Sequence, residues 1–161
     1  MNRLKEKSKN VVNLLIKKKL KITSCESCTG GLFASSITSV SGSSECFEGS
    51  FVTYSNRIKN KITGVKEETL SKYGAVSEEC VLEMAENSRK MMDSDISIAI
   101  SGIAGPNGGS EEKPVGLVFV CISAENYIKA YKNIFYGDRD NIRSLSVLFA
   151  LDLVENYIQN L

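Results

Sequence analysis

A serine in a glycine turn, followed further along by a tyrosine and a lysine, is the set of residues here whose types and spacing could do covalent chemistry. The turn reads Glu26-Ser27-Cys28-Thr29-Gly30-Gly31, and the later segment reads Tyr54-Ser55-Asn56-Arg57-Ile58-Lys59. A serine hydroxyl becomes a nucleophile only when a base takes its proton, and imidazole is the usual base. This chain of 161 residues contains no histidine. The side chains left to act as base near neutral pH are a desolvated lysine or a carboxylate of raised pKa. Serine chemistry here therefore points to a Ser–Lys pair.

A strand running into a tight turn and then a helix projects Ser27 at the carboxyl edge of a sheet, where α/β folds place ligands. Gly30 and Gly31 allow close approach of backbone to ligand, and N–H groups opening the next helix can receive an anion or an oxyanion. Thr29, Gly30 and Gly31 are the candidates for that contact. The plainer use of Ser27 or Thr29 is to cap the helix. Cys25 and Cys28 are stronger intrinsic nucleophiles that a helix dipole could activate, although cysteine more often serves as a small buried hydrophobe.

Tyr54 and Lys59 stand five residues apart, about 140° around a helix, so they do not share one helical face. With Tyr54 ending a strand and Lys59 on the turn beyond, both could face Ser27 across the sheet edge. Lys59 needs burial or a neighbouring cation to act as base; otherwise it is a solvated surface charge. Asn56 lies between them as a candidate substrate contact.

Two further clusters open at strand or helix ends. Ser101-Gly102-Ile103-Ala104-Gly105-Pro106 follows an apolar strand, so Ser101 and Gly102 could meet a ligand, or the segment could be a simple turn. Asp138 is a helix cap, which puts Arg139 and Arg143 one turn apart at a helix start. Such a pair suits a phosphate, while Arg143 could equally pair with Asp140.

The elements that must position these residues alternate. Leu4, Val11, Val12, Leu15 and Ile16 recur at helical spacing, predicting an opening amphipathic helix. A short strand over 21–24 leads into the turn, and a buried helix carries Leu32, Phe33, Ser36, Ile37 and Val40. Strands are expected over 51–54, 95–101, 115–122 and 127–136, with a helical turn over 56–61. Ser77 caps a helix whose staple residues are Val76 and Val81. A last helix starts at Asp138 and turns Ile142, Leu145, Phe149 and Leu153 inward. The pattern predicts a single domain spanning 1–161: a layered α/β/α fold with a mixed, partly parallel sheet covered by helices on both faces.

The bulk composition narrows the function classes. Apolar residues make up 42% and charged residues 24% of the chain, as in ordinary globular proteins. Twenty basic against nineteen acidic residues give a net charge of +1, which argues against nucleic acid or an anionic membrane as partner. No stretch is long and apolar enough to span a bilayer, and the first residues lack the apolar region of a secretory signal. Five cysteines, an odd count in which Cys25 and Cys28 form a single isolated C-x-x-C, favour neither a disulfide framework nor a metal site and fit a reducing cytoplasm.

Glu26-Ser27-Cys28-Thr29-Gly30-Gly31, Tyr54-Ser55-Asn56-x-x-Lys59, Gly74-Ala75-Val76-Ser77, Ser101-Gly102-Ile103-Ala104-Gly105-Pro106, Lys113-Pro114-Val115-Gly116 and Gly137-Asp138-Arg139 together resemble the CinA C-terminal-domain family, in its order and over nearly the whole chain. The resemblance implies a nicotinamide-nucleotide amidohydrolase that converts nicotinamide mononucleotide and water to nicotinic acid mononucleotide and ammonia in pyridine-nucleotide salvage. It places the family's catalytic serine, tyrosine and lysine on Ser27, Tyr54 and Lys59. Tyr54 would relay a proton or steady the lysine, and no metal or organic cofactor is implied. Members tend to be oligomeric, so a homodimer is expected. Larger members carry an additional N-terminal domain of a molybdopterin-binding type, whose activity is not expected here. Cys25 departs from the small residue usual in relatives. The rival readings are a nucleotide-binding module without turnover and an interaction module linked to competence or DNA damage.

Overall fold

The computed structural model describes residues 2–161. Its elements are α1 (Asn2–Lys18), β1 (Ile22–Glu26), α2 (Leu32–Thr38), a short 3-10 turn (Ser43–Glu45), β2 (Phe51–Val52), α3 (Asn56–Thr63), α4 (Glu67–Tyr73), α5 (Glu78–Met91), β3 (Ile96–Gly102), β4 (Leu117–Ala124), β5 (Tyr127–Ile134) and α6 (Arg139–Gln159). The strands form one five-stranded sheet in the order β2-β1-β3-β4-β5. β1 runs parallel to both β2 and β3, while β3–β4 and β4–β5 are antiparallel. The sheet is mixed and partly parallel, as expected.

Side-chain size on the two sheet faces decides how the helices cover it. Ile96, Ile98 and Ile100 of β3, with Val118, Val120 and Ile122 of β4, join the core shared with α1, α2 and α6. The alternate positions are small: Cys25, Ala99 and Cys121 pack against Val81, Met84 and Ala85 of α5. Strand residues alternate between faces, so bulky side chains fill one core and small ones let α5 lie close to the sheet. α1, α2 and α6 contact one another, and α3 and α4 contact α5, giving two helical layers around one sheet.

The N-termini are capped largely by side chains. The hydroxyls of Ser55 and Ser77 accept from the N–H groups of Ile58 and Cys80, and the carboxylate of Asp138 accepts from Asn141 N–H. The caps of Ser77 and Asp138 were legible; α4 was not. The residue before α4, Lys66, gives no side-chain cap, and its N–H donates instead to Glu83 of α5 at 2.8 Å. That helix starts because a distant carboxylate receives it. β2 also ends two residues earlier than the pattern predicts, leaving Thr53 and Tyr54 in the link to α3.

Candidate active site

β1 alternation turns Cys25 toward the α5 core, and Ser27 continues on that face beyond the last strand residue. Ser27 N–H donates to Ile100 O at 2.9 Å, tying the turn to β3. Glu26 points the other way and is fully buried. Its two carboxylate oxygens accept from Phe33 N–H at 2.8 Å and Ala34 N–H at 3.1 Å. The free N–H groups opening α2 are therefore satisfied by Glu26, not left for a ligand.

Lys59 sits on α3 with only 1% of its surface exposed. Its Nζ donates to Ser27 Oγ at 3.0 Å and to the Thr53 carbonyl at 2.8 Å. No carboxylate pairs with it among the described residues. Burial pushes the amine below its ordinary pKa of 10.5, because a desolvated ammonium without a counter-ion is costly. Two polar contacts suit a neutral amine, whose N–H can go to Thr53 and whose lone pair can face the serine proton.

Around this pair lies an open cavity of about 290 Å³, lined by Ser27, Cys28, Tyr54, Asn56, Lys59, Ser101, Gly102 and Arg139 together with Ala75, Val76 and the 103–108 loop. Ser101 donates its hydroxyl to Ala75 O at 2.8 Å, joining two walls. Gly102 must be bare: a Cβ there would stand 2.7 Å from Leu117 O. Tyr54 is 62% exposed at the mouth. Its hydroxyl accepts from Arg139 Nη2 at 3.0 Å, and Arg139 Nη1 donates to Gly105 O at 2.7 Å.

Not every expected residue reaches this cavity. Thr29, Gly30 and Gly31 are absent from its lining, and Gly30 N–H is engaged by Ser27 O at 3.0 Å. Arg139 and Arg143 do not form one clamp. Arg143 turns to the carbonyls of Cys28 and Thr29, at 3.2 Å and 2.9 Å, and lies 3.7 Å from Asp140. Tyr54 meets Arg139, while Lys59 is steadied by a main-chain carbonyl that no sequence motif announces. Glu26 also escaped the sequence reading, although a carboxylate ending a short strand before a glycine turn is its one signal. Burial raises the thiol pKa of Cys25 and pushes that of Cys28 up to about 11, so neither flanking cysteine is poised as a thiolate.

The model of the CinA C-terminal domain matches residues 4–158. The chain belongs to the CinA C-terminal domain family. Two curated relatives are CinA-like proteins: that of Fervidobacterium nodosum is 47% identical over 154 residues, covering 96% of this chain and 38% of the relative. That of Thermotoga maritima is 49% identical over 149 residues, covering 92% of this chain and 36% of the relative. The chain thus spans less than two fifths of the length of these relatives. Among solved structures, a competence-damaged protein (CinA) superfamily protein from Klebsiella pneumoniae is 32% identical with a TM-score of 0.94, covering 98% of this chain and 99% of that one. The competence/damage inducible protein CihA from Agrobacterium tumefaciens is 37% identical with a TM-score of 0.93, covering 96% and 94%. Among the described residues, no helix is long and apolar enough to cross a membrane.

Proposed function

We propose that the chain is an amidohydrolase that deamidates nicotinamide mononucleotide through an acyl-enzyme on Ser27. The observation that carries this reading is the buried Lys59 amine, 3.0 Å from Ser27 Oγ and without a carboxylate partner. Neutral Lys59 takes the Ser27 proton as Oγ attacks the carboxamide carbon. The oxyanion is received by main-chain N–H groups of the turn. Those of Cys28 and Thr29 donate to no protein acceptor among the described residues. The carbon–nitrogen bond breaks, and the lysine proton leaves with ammonia. Water then attacks the ester, giving its proton to Lys59, and Ser27 is released with nicotinic acid mononucleotide.

The cavity size supports a substrate only partly enclosed, with the amide at Ser27 and the remainder reaching the mouth. There Arg139 offers a guanidinium for phosphate, a geometry that suits it better than lysine. The Tyr54 hydroxyl, accepting from Arg139 Nη2, orients this arginine. The test is to incubate the purified protein with nicotinamide mononucleotide and measure ammonia, with Ser27→Ala as control. Release by the wild type and none by the variant is expected. Release that survives Ser27→Ala overturns the reading.

A further inference from the structure

Arg143 contributes nothing to the cavity wall, yet its guanidinium is spent on two carbonyls of the nucleophile turn. Ser27 to Gly30 form a β-turn closed by Gly30 N–H to Ser27 O at 3.0 Å, and the Cys28–Thr29 peptide is its central unit. The orientation of that unit is what separates a type I turn from a type II turn. Its carbonyl, on Cys28, accepts from Arg143 Nε at 3.2 Å, and the next carbonyl, on Thr29, accepts from Nη2 at 2.9 Å.

A trans peptide is planar, with C=O and N–H pointing opposite ways. Arg143 holds the carbonyl toward α6, so the Thr29 N–H must point away from α6. The flipped turn would need a positive φ at Thr29. Thr29 is not among the described non-glycine residues with positive φ, and a β-branched residue resists that region. The threonine backbone and the guanidinium therefore oppose the same flip. A cation on the carbonyl oxygen also polarises the peptide and strengthens its N–H as a donor. The alternative partner of Arg143, Asp140, is 3.7 Å away with a side chain 90% exposed, and such surface pairs contribute little.

Resting on the acyl-enzyme reading above, we infer that Arg143 is a positioning residue: it sets the Cys28–Thr29 peptide so that the Thr29 N–H, itself outside the cavity lining, is aimed past the Cys28 wall at the oxyanion formed at Ser27. It acts on the transition state through the turn and does not touch the phosphate.

Two rates test this in the wild type, Arg143→Met and Arg143→Lys. One is steady-state release of ammonia from nicotinamide mononucleotide. The other is sulfonylation of Ser27 by phenylmethanesulfonyl fluoride, followed by intact mass. In that reaction the Oγ–sulfur bond forms, fluoride leaves and Lys59 takes the proton, without any nucleotide. Arg143→Met is expected to lower kcat by about 10²-fold, near the loss of one oxyanion donor, with KM within about twofold and labelling slowed in parallel. Arg143→Lys, a single point charge in place of a two-carbonyl fork, should fall between, and it decides the matter if the methionine variant does not fold. A KM that rises about tenfold at unchanged kcat would make Arg143 a phosphate ligand and overturn the inference. Unchanged kcat and labelling in both variants overturn it too. If the wild type is labelled at Ser27 but releases no ammonia, the substrate reading fails and the labelling rates alone judge Arg143. If the wild type does neither, both readings fall.

Discussion

Lys59 Nζ and Ser27 Oγ meet at 3.0 Å, from different elements and with the lysine almost wholly buried. A lone ammonium buried there would be costly, so the contact favours the neutral amine that a Ser–Lys pair requires. Replacing Ser27 by alanine should lower kcat by at least about 10³-fold. Lys59→Met should lose about 10²–10⁴-fold, the usual contribution of a positioned base. The double variant should be little worse than Ser27→Ala alone, because the two act as one unit. Additive losses in single-turnover kinetics would show that they act separately.

The pH dependence follows from the direction of the Lys59 shift. The base must be neutral, and burial holds its pKa below 10.5. kcat/KM should therefore climb with pH through an apparent pKa below that value and level off above it. A flat profile between about pH 6 and 9 would contradict a lysine base.

Stability should carry the same signature with its own sign. The folded-state pKa of Lys59 lies below its unfolded value, so between the two the unfolded chain holds the extra proton and stability rises with pH. Below the folded pKa the full cost of a buried ammonium is present. Lys59→Met removes that cost. The melting temperature of the variant minus that of the wild type should be most favourable in acid and shrink as pH rises toward 10.5. A difference independent of pH would mean that the lysine titrates as if exposed.

The fold was legible where local chemistry governs it. Val11, Val12 and Leu15 lie buried on α1, Ser77 caps α5, and the isoleucines of β3 face one core while its small residues face the other. What escaped depends on partners far along the chain. α4 starts against Glu83, and Arg143 turns from the expected pairing with Arg139 to carbonyls more than a hundred residues away. Lys59 illustrates the division within the site. Its type marked it as a candidate base, but only packing makes it buried, and its second partner is a carbonyl that every residue possesses.

Glu26 offers a test of what holds the turn that carries Ser27. Its carboxylate receives two N–H groups that open α2. Glu26→Gln keeps the shape but turns an amide NH2 toward one of those donors. Leaving a buried donor unsatisfied costs about 1–3 kcal/mol, which for a chain of this size lowers the melting temperature by roughly 2–10 °C. An unchanged melting temperature in thermal denaturation would show that the cap contributes nothing.

Tyr54 and Arg139 separate two roles that kinetics can tell apart. Tyr54 lines the same cavity as Ser27 and Lys59, but the partner its hydroxyl has is Arg139 Nη2, at 3.0 Å on an exposed rim. Tyr54→Phe should therefore leave kcat nearly unchanged and raise KM for nicotinamide mononucleotide by no more than a few-fold, the worth of one exposed hydrogen bond. Arg139→Met removes the guanidinium itself. Charged hydrogen bonds contribute about 1.5–3 kcal/mol, so KM should rise by about 10- to 100-fold. The unphosphorylated riboside, which has no anion to lose, should be affected little by the same change. A loss in kcat at unchanged KM in Tyr54→Phe would restore the tyrosine to the proton path, because only a group engaged in the transition state lowers turnover without weakening binding.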